Sequence, residues 1–501
     1  MDPKGLPKTL DQVQLRVDGH SVPSDMNETV IVPFWIFVLL LGGAAFTLAD
    51  RLLFPIMRWF MQRSINRVID DISRRLALEI RPFQLTKRKV LIDRLINDPG
   101  VIKAIQREVR QRGVSRQIVQ KEVVVYAKEI VPAFNAYLYF RIGYWVAKKI
   151  ARLLYQVHIG LIDSARLEKI DPDSTVVFVM NHRSNMDYII VSFLVAERTA
   201  LSYAVGEWAR IWPLQTLIRA MGAFFVRRRS NNALYRLVLE RYIRMATKEG
   251  VCQAVFPEGG LSRNGQMGRP KFGIIDYMVR GYHTDMDRDI VFVPVGLNYD
   301  RTMEDRSLLR SLDPVAASRS RWFVFKTTSL FMLKSVTLMI SSRWRKFGYA
   351  CVNFGPYVSL HDYCVERGID FSRMDRMERF KAVETLSYKL MDAIAAVIPV
   401  LPIPMVAAVF QENPESSFSA FEIEEQVNRL IADIQARGAP VFISTRSRVQ
   451  NIVTALNMLT IRRLIIESNG TYRADPAMRD VLNYYANSIT HWRSGSNSNP
   501  I

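Results

Sequence analysis

Val177-Phe178-Val179-Met180-Asn181-His182-Arg183-Ser184-Asn185-Met186-Asp187-Tyr188 is the stretch on which the reading of this 501-residue chain turns. It continues an apolar, β-branched run that begins at Thr175 and predicts a buried strand up to Met180. The polar residues Asn181 to Asn185 interrupt that run, and an apolar pattern resumes from Ile189 to Val195. Ser184 and Asn185 are suited to cap the helix this predicts, and Asp187 would sit near its positive end. On one continuous helix, five residues would set His182 and Asp187 roughly 140° apart. In a turn leaving a strand they can meet. An imidazole beside a carboxylate is a layout for taking a proton from a hydroxyl, whereas the bland alternative is a surface turn.

Outward from this stretch, short β-branched and aromatic runs at 176–180, 201–205, 223–226, 251–256, 290–295 and 349–354 alternate with helical patterns. Such alternation predicts an α/β fold with a largely parallel sheet flanked by helices, whose ligands bind beyond the carboxyl ends of the strands. The expected organisation is a tail at 1–29, a membrane-anchoring helix at 30–49, and a basic amphipathic and helical subdomain at 50–160. An α/β domain follows at 161–360, then a C-terminal helical region at 361–492 and a disordered tail at 493–501. One short strand pair is expected in the C-terminal region, around 441–444 and 471–474.

Composition supports a globular chain with a large core, since 49% of the residues are hydrophobic. Cys252, Cys351 and Cys364 have neither metal-ligand spacing nor a disulfide pattern, which suits a reducing compartment. The net charge of +20 is uneven: residues 51–121 hold seventeen Lys/Arg against six Asp/Glu, and residues 301–350 hold ten against three. Such segments suit anionic lipid, acidic substrates or nucleic acid. Their interleaving with long apolar runs, in place of a groove-reading module, speaks against nucleic acid.

Residues 30–49 carry no formal charge and are just long enough to cross a bilayer. Acids precede them and arginines follow from Arg51, so the positive-inside rule puts the rest of the chain in the cytoplasm. Pro33 and Gly42-Gly43 also fit a re-entrant or interfacial helix. Residues 52–78 read as a basic amphipathic helix, either on the cytoplasmic leaflet or packed on its own domain. Residues 319–346 read as interfacial, because Lys326 and Lys334 interrupt the apolar run, or as a core helix with snorkelling lysines.

Three further segments beside expected strands suit an anionic substrate. Gly222-Ala223-Phe224-Phe225-Val226 ends in Arg227-Arg228-Arg229, of which one or two guanidinium forks could clamp a phosphate; a solvated turn is the alternative. Phe256-Pro257-Glu258-Gly259-Gly260-Leu261-Ser262-Arg263 pairs glycines, whose amides can approach an anion, with flanking charges, and Lys271 follows within reach. Glu258 suits orienting a hydroxyl or tying down the loop better than acting as a second base. The strand Val291-Phe292-Val293-Pro294-Val295 leads into a loop that could line an acyl or donor pocket.

The order and spacing of these segments resemble the glycerolipid acyltransferase superfamily, whose motifs run His-x4-Asp, Gly-x-Phe-Phe-Ile-Arg-Arg, Phe-x-Glu-Gly-x-Arg-Ser-Arg and a Val-Pro-Val strand. The likeness is closest to its bacterial membrane-bound glycerol-3-phosphate acyltransferases, with Asn483 to His491 similar to their late helical motif. The resemblance implies that His182 is a general base, oriented by Asp187, for direct attack of an acceptor hydroxyl on an acyl thioester. It implies that Arg227, Arg228, Glu258, Gly259, Ser262, Arg263 and Lys271 bind substrate. Leu261 stands where the family carries arginine, which shifts the phosphate contacts onto Arg227 and Arg263. No metal and no cofactor are implied beyond acyl-CoA or acyl carrier protein thioester as co-substrate. The implied partners are glycerol-3-phosphate, anionic membrane lipid and the carrier protein, at the cytoplasmic side of the inner membrane. Alternative acceptors are 1-acylglycerol-3-phosphate and dihydroxyacetone phosphate; a basic peripheral membrane protein is the non-enzymatic alternative.

Overall fold

The computed structural model describes residues 81–493 other than 163, 197–198, 207–213, 228–229, 311, 313–346 and 444–446, together with a short antiparallel pair, Gln12–Val13 with Val32–Pro33. The expected helix at 30–49 is extended at Val32–Pro33, where the proline ring disfavours a helical residue before it. The rest of that segment, the basic helix at 52–78, the apolar segment at 319–346 and the tail from 494 lie outside the described residues. Among the described residues no helix is long and apolar enough to cross a membrane.

Among the described residues, eight strands form the central sheet: β1 (Gln156–Ile162), β2 (Thr175–Met180), β3 (Ser202–Gly206), β4 (Phe224–Val226), β5 (Gln253–Val255), β6 (Ile290–Tyr299), β7 (Tyr349–Phe354) and β8 (Val358–Ser359). Their order is β1-β7-β6-β2-β5-β3-β4, with β8 beside β6. The pairs β1–β7, β2–β5, β2–β6, β3–β4 and β3–β5 are parallel; β6 pairs antiparallel with β7 and β8. The six runs expected as strands are β2 to β7. β1 falls instead in a stretch read as helical, because its partner β7 lies far along the chain and nothing local announces the pairing.

β2 shows why the sheet is central. All six of its residues are buried, as parallel strands covered on both faces require. Val177 and Val179 enter one core with helices Arg88–Ile96, Pro99–Arg112, Arg116–Ile130, Ala233–Lys248 and Arg376–Ala395. Val176, Phe178 and Met180 enter the other, with helices Tyr144–Leu154 and Met186–Val195. The period of two along one strand therefore defines three layers, helix, sheet and helix.

The C-terminal part has its own core, built on Pro402–Glu412, Ala420–Ala436, Arg448–Ile461 and Arg479–Ala486. β9 (Ser417–Ser419), β10 (Ile465–Ser468) and β11 (Thr471–Ala474) form an antiparallel sheet in the order β9-β11-β10. The expected pairing of 441–444 with 471–474 does not occur among the described residues: Val441 bridges only to Val400. Asn469-Gly470, both at positive φ, turn β10 directly back into β11 and supply the nearer partner.

Candidate active site

β2 ends at the middle of the sheet, between β5 and β6. The next residue, Asn181, fixes where the turn begins: its amide nitrogen donates to the Leu297 carbonyl (2.9 Å) and its oxygen accepts from the Leu297 amide (2.8 Å). His182 follows, buried, with Nδ1 2.9 Å from Asp187 Oδ2. The same carboxylate oxygen accepts the amides of Arg183 (2.7 Å) and Ser184 (3.1 Å), and Oδ1 accepts the Tyr299 hydroxyl. Surrounded by donors, Asp187 acts as acceptor, so Nδ1 of His182 carries the proton and Nε2 keeps its lone pair. The imidazole stacks on Phe256, ring centroids 3.9 Å apart, and Tyr188 meets it edge-on at 5.4 Å, which limits its rotation.

The glycine loop beyond β5 is tied to this turn through Glu258. Its Oε1 accepts the His182 amide (2.9 Å) and its Oε2 the Gly268 amide (2.7 Å), while the Ser262 amide donates to the His182 carbonyl (2.8 Å). Gly259, at φ 64°, closes a turn onto the Phe256 carbonyl, and a Cβ there would lie 2.7 Å from Lys271 Cδ. Glycine thus makes room for the lysine chain across the loop. The Ser262 hydroxyl is engaged inside the loop, donating to the Gln266 carbonyl (2.6 Å) and accepting the Gly265 amide (3.1 Å). Arg263 is exposed and has no ion pair among the described residues.

His182, Asp187, Glu258, Gly259, Ser262 and Lys271 therefore converge at the ends of β2 and β5. Arg227 does not join them directly. It leaves β4, three strands from β2 and roughly 14 Å across the sheet, and makes a two-pronged ion pair with Glu129 (2.8 and 2.7 Å) between the Tyr126 and Tyr235 rings. To hold a phosphate it must share or release Glu129. Arg228 lies outside the described residues.

Three contributors were given no individual role by the sequence. Tyr299 reaches Asp187 because β6 runs four residues beyond Val295, the register partner of Met180, roughly 13 Å further along. Glu304, whose carboxyl pKa burial raises, accepts the Ser184 hydroxyl (2.7 Å) and both nitrogens of Asn185 (3.2 and 3.1 Å). Tyr484, in the segment similar to the late helical motif, lies under the buried Arg183 guanidinium at 4.9 Å. Arg183 also donates to the Gly265 carbonyl, and Gly265, at φ 93°, packs so tightly that a Cβ would collide with the Tyr484 carbonyl. The C-terminal region thus closes the back of the His182 turn. Among the described residues no group of three or more His, Cys, Asp or Glu side chains could hold a metal ion.

Burial pushes Glu258 up to about 7 against the opposing pull of the His182 and Gly268 amides. Its folded-state value lies above that of an unfolded chain, so its stabilising contribution is complete below about pH 4 and is lost as pH rises through 7. Asp300, also raised to about 7 by burial, adds a second contribution of the same sign. Glu258→Gln, neutral throughout, is expected to shrink the fall in unfolding free energy between pH 4 and 8.5 by up to about 3 kcal/mol. Urea unfolding across that range measures it; an unchanged slope would mean that Glu258 does not titrate there.

The chain has recognisable relatives. Residues 162–298 match the Acyltransferase family model, and residues 333–493 match the model of the glycerol-3-phosphate acyltransferase C-terminal region. The chain is 26% identical over 443 residues to a glycerol-3-phosphate acyltransferase of Xanthomonas axonopodis pv. citri, covering 86% of this chain and 48% of that protein. Identity is 24% over 443 residues to the protein of the same name from Xylella fastidiosa (86% and 50%), and 29% over 317 residues to that of Pseudomonas aeruginosa (62% and 36%). The chain spans about half the length of the first two of these relatives, and less of the third.

Proposed function

We propose that this chain, whose matched segments are those of an acyltransferase and a glycerol-3-phosphate acyltransferase C-terminal region, moves a fatty acyl group from a thioester to the sn-1 hydroxyl of glycerol-3-phosphate, giving lysophosphatidic acid at the cytoplasmic side of the inner membrane. The observation that carries this reading is the His182–Asp187 pair bound through Glu258 to a glycine loop that bears Arg263 and Lys271. His182 Nε2 takes the proton as the hydroxyl oxygen attacks the thioester carbonyl carbon. The C–S bond then breaks, and the departing sulfur takes the proton back from the imidazolium. The Gly259 amide is occupied by its turn, so the neighbouring Gly260 amide, without a partner among the described residues, is the better donor to the oxyanion.

Glycerol-3-phosphate and its 1-acyl form, offered in separate reactions with one labelled acyl thioester, separate the candidate acceptors by which labelled lipid is made. The expected lipid is lysophosphatidic acid; phosphatidic acid alone would overturn the acceptor assignment. Arg263→Ala is expected to raise KM for glycerol-3-phosphate about tenfold with little change in kcat, as loss of a charge-assisted phosphate contact predicts. Steady-state kinetics over acceptor concentration decide it, and an unchanged KM removes Arg263 from the phosphate site.

A further inference from the structure

The helix that supports the catalytic turn has a second face. A π-helical stretch, Leu138–Gly143, runs without a break into the α-helix Tyr144–Leu154. Ala147, Ala151 and Leu154 are buried on the side that packs against Met186–Val195, the helix whose first turn holds Asp187. The Tyr144 and Phe193 rings lie 5.8 Å apart there, and Lys148 Nζ sits over both. Away from that contact Arg141, Ile142, Trp145, Lys149 and Arg152 are exposed at spacings of one helical face. Trp145 is 58% exposed, with Lys149 Nζ 5.7 Å from its ring. No acidic residue occurs between Glu129 and Asp163, and none of Arg141, Lys149 and Arg152 has an ion pair among the described residues. The following edge strand, β1, continues the apolar exposure with Ile159 and Leu161, both exposed.

We propose that this face seats in the headgroup layer of an anionic phospholipid bilayer. Cations alone would suit any polyanion, but an exposed indole and aliphatic side chains set among exposed cations match the composition of an interfacial helix. Tryptophan favours the headgroup level, where its ring is apolar and its N–H stays wet, and lysine and arginine meet anionic lipid. An acidic protein would satisfy the charges and leave Trp145 and Ile142 without an apolar phase. Seated in this way, the helix holds the catalytic helix directly above the lipid into which an acylated product passes. The proposal rests on the reading of the protein as a membrane acyltransferase.

The test uses the full chain with Trp145→Cys, labelled with an environment-sensitive fluorophore. The three native cysteines are buried, so the label goes to position 145. A control label replaces Met286, which is 83% exposed in the loop that leads into the interior strand β6. Vesicles of phosphatidylglycerol and phosphatidylethanolamine carry a headgroup-level quencher lipid. At least a threefold greater quenching is expected at 145 than at 286, and Lys149→Glu with Arg152→Glu should abolish the difference while turnover in detergent micelles stays unchanged. Vesicle binding and turnover with equal quenching at both positions would overturn the docking face and leave the acyltransferase reading standing. Absence of both binding and turnover would remove that reading as well. A label shielded without lipid, by raised protein concentration or by an added acidic carrier protein, would assign the face to a protein partner and overturn the proposal.

Discussion

Replacing His182 by alanine is expected to lower kcat for acyl transfer by about 10³-fold, with KM for both substrates changed little. A positioned general base contributes typically 10² to 10⁴ in rate, and no second base stands ready in this turn. Glu258 is occupied by the His182 and Gly268 amides, Asp187 by four donors, and Glu304 by Ser184 and Asn185. The truncation leaves a small space against Phe256 while the backbone contacts of His182 with Glu258 and Ser262 persist, so the protein should remain folded. Initial rates with purified protein, accompanied by a thermal unfolding curve, check both halves. Activity within tenfold of the parent would show that the proton goes elsewhere.

Asp187→Asn is expected to cost a comparable factor in kcat and, unlike the alanine at His182, to weaken the fold. The carboxylate accepts from His182 Nδ1, the Arg183 and Ser184 amides and the Tyr299 hydroxyl, and it is fully buried. An asparagine keeps one oxygen and turns an NH2 group towards donors that previously had an acceptor. Leaving buried donors unsatisfied costs roughly 1 to 3 kcal/mol, which a lowered urea midpoint would register. Rotating the amide to spare the backbone pair exposes Tyr299 to the mismatch, and rotating it the other way exposes His182 and favours the wrong tautomer. A rate loss of about 10³-fold together with a lower midpoint is predicted; full activity with unchanged stability would show that the pairing with His182 has no part in turnover.

The strand, turn and helix around His182 were readable because each link is local. A β-branched run signals burial on both faces, five polar residues break it, and the helix that follows returns Asp187 to the imidazole. The Glu258 loop was readable for the same reason, through its paired glycines and flanking charges. What escaped reading depends on contacts between distant segments. Tyr299 and Glu304 reach the turn only because β6 lies parallel to β2 in one register, and no pattern near either residue announces that register. Arg227 shows the opposite error: its position at a strand end was evident, but its ion pair with Glu129, from a helix much earlier in the chain, was not. Gly265 and Tyr484 belong with these, since the positive φ and the close approach make sense only once the C-terminal region is packed against the loop. The strand β1 was missed because helical residues run up to Leu154 with only Tyr155 before it begins, leaving no turn signal between the two periodicities.

The claim at the centre of this account is that His182, held by Asp187, takes the acceptor proton while the hydroxyl attacks the thioester directly. A single-turnover experiment with the labelled acyl group in excess protein tests it most directly, with glycerol-3-phosphate first withheld and then added. The prediction is that no label becomes attached to the protein during the first phase, and that the label passes to lysophosphatidic acid in the second, with the His182→Ala protein leaving the thioester intact. A protein-bound acyl ester formed before the acceptor is added, or lipid made at the parent rate without His182, would contradict it.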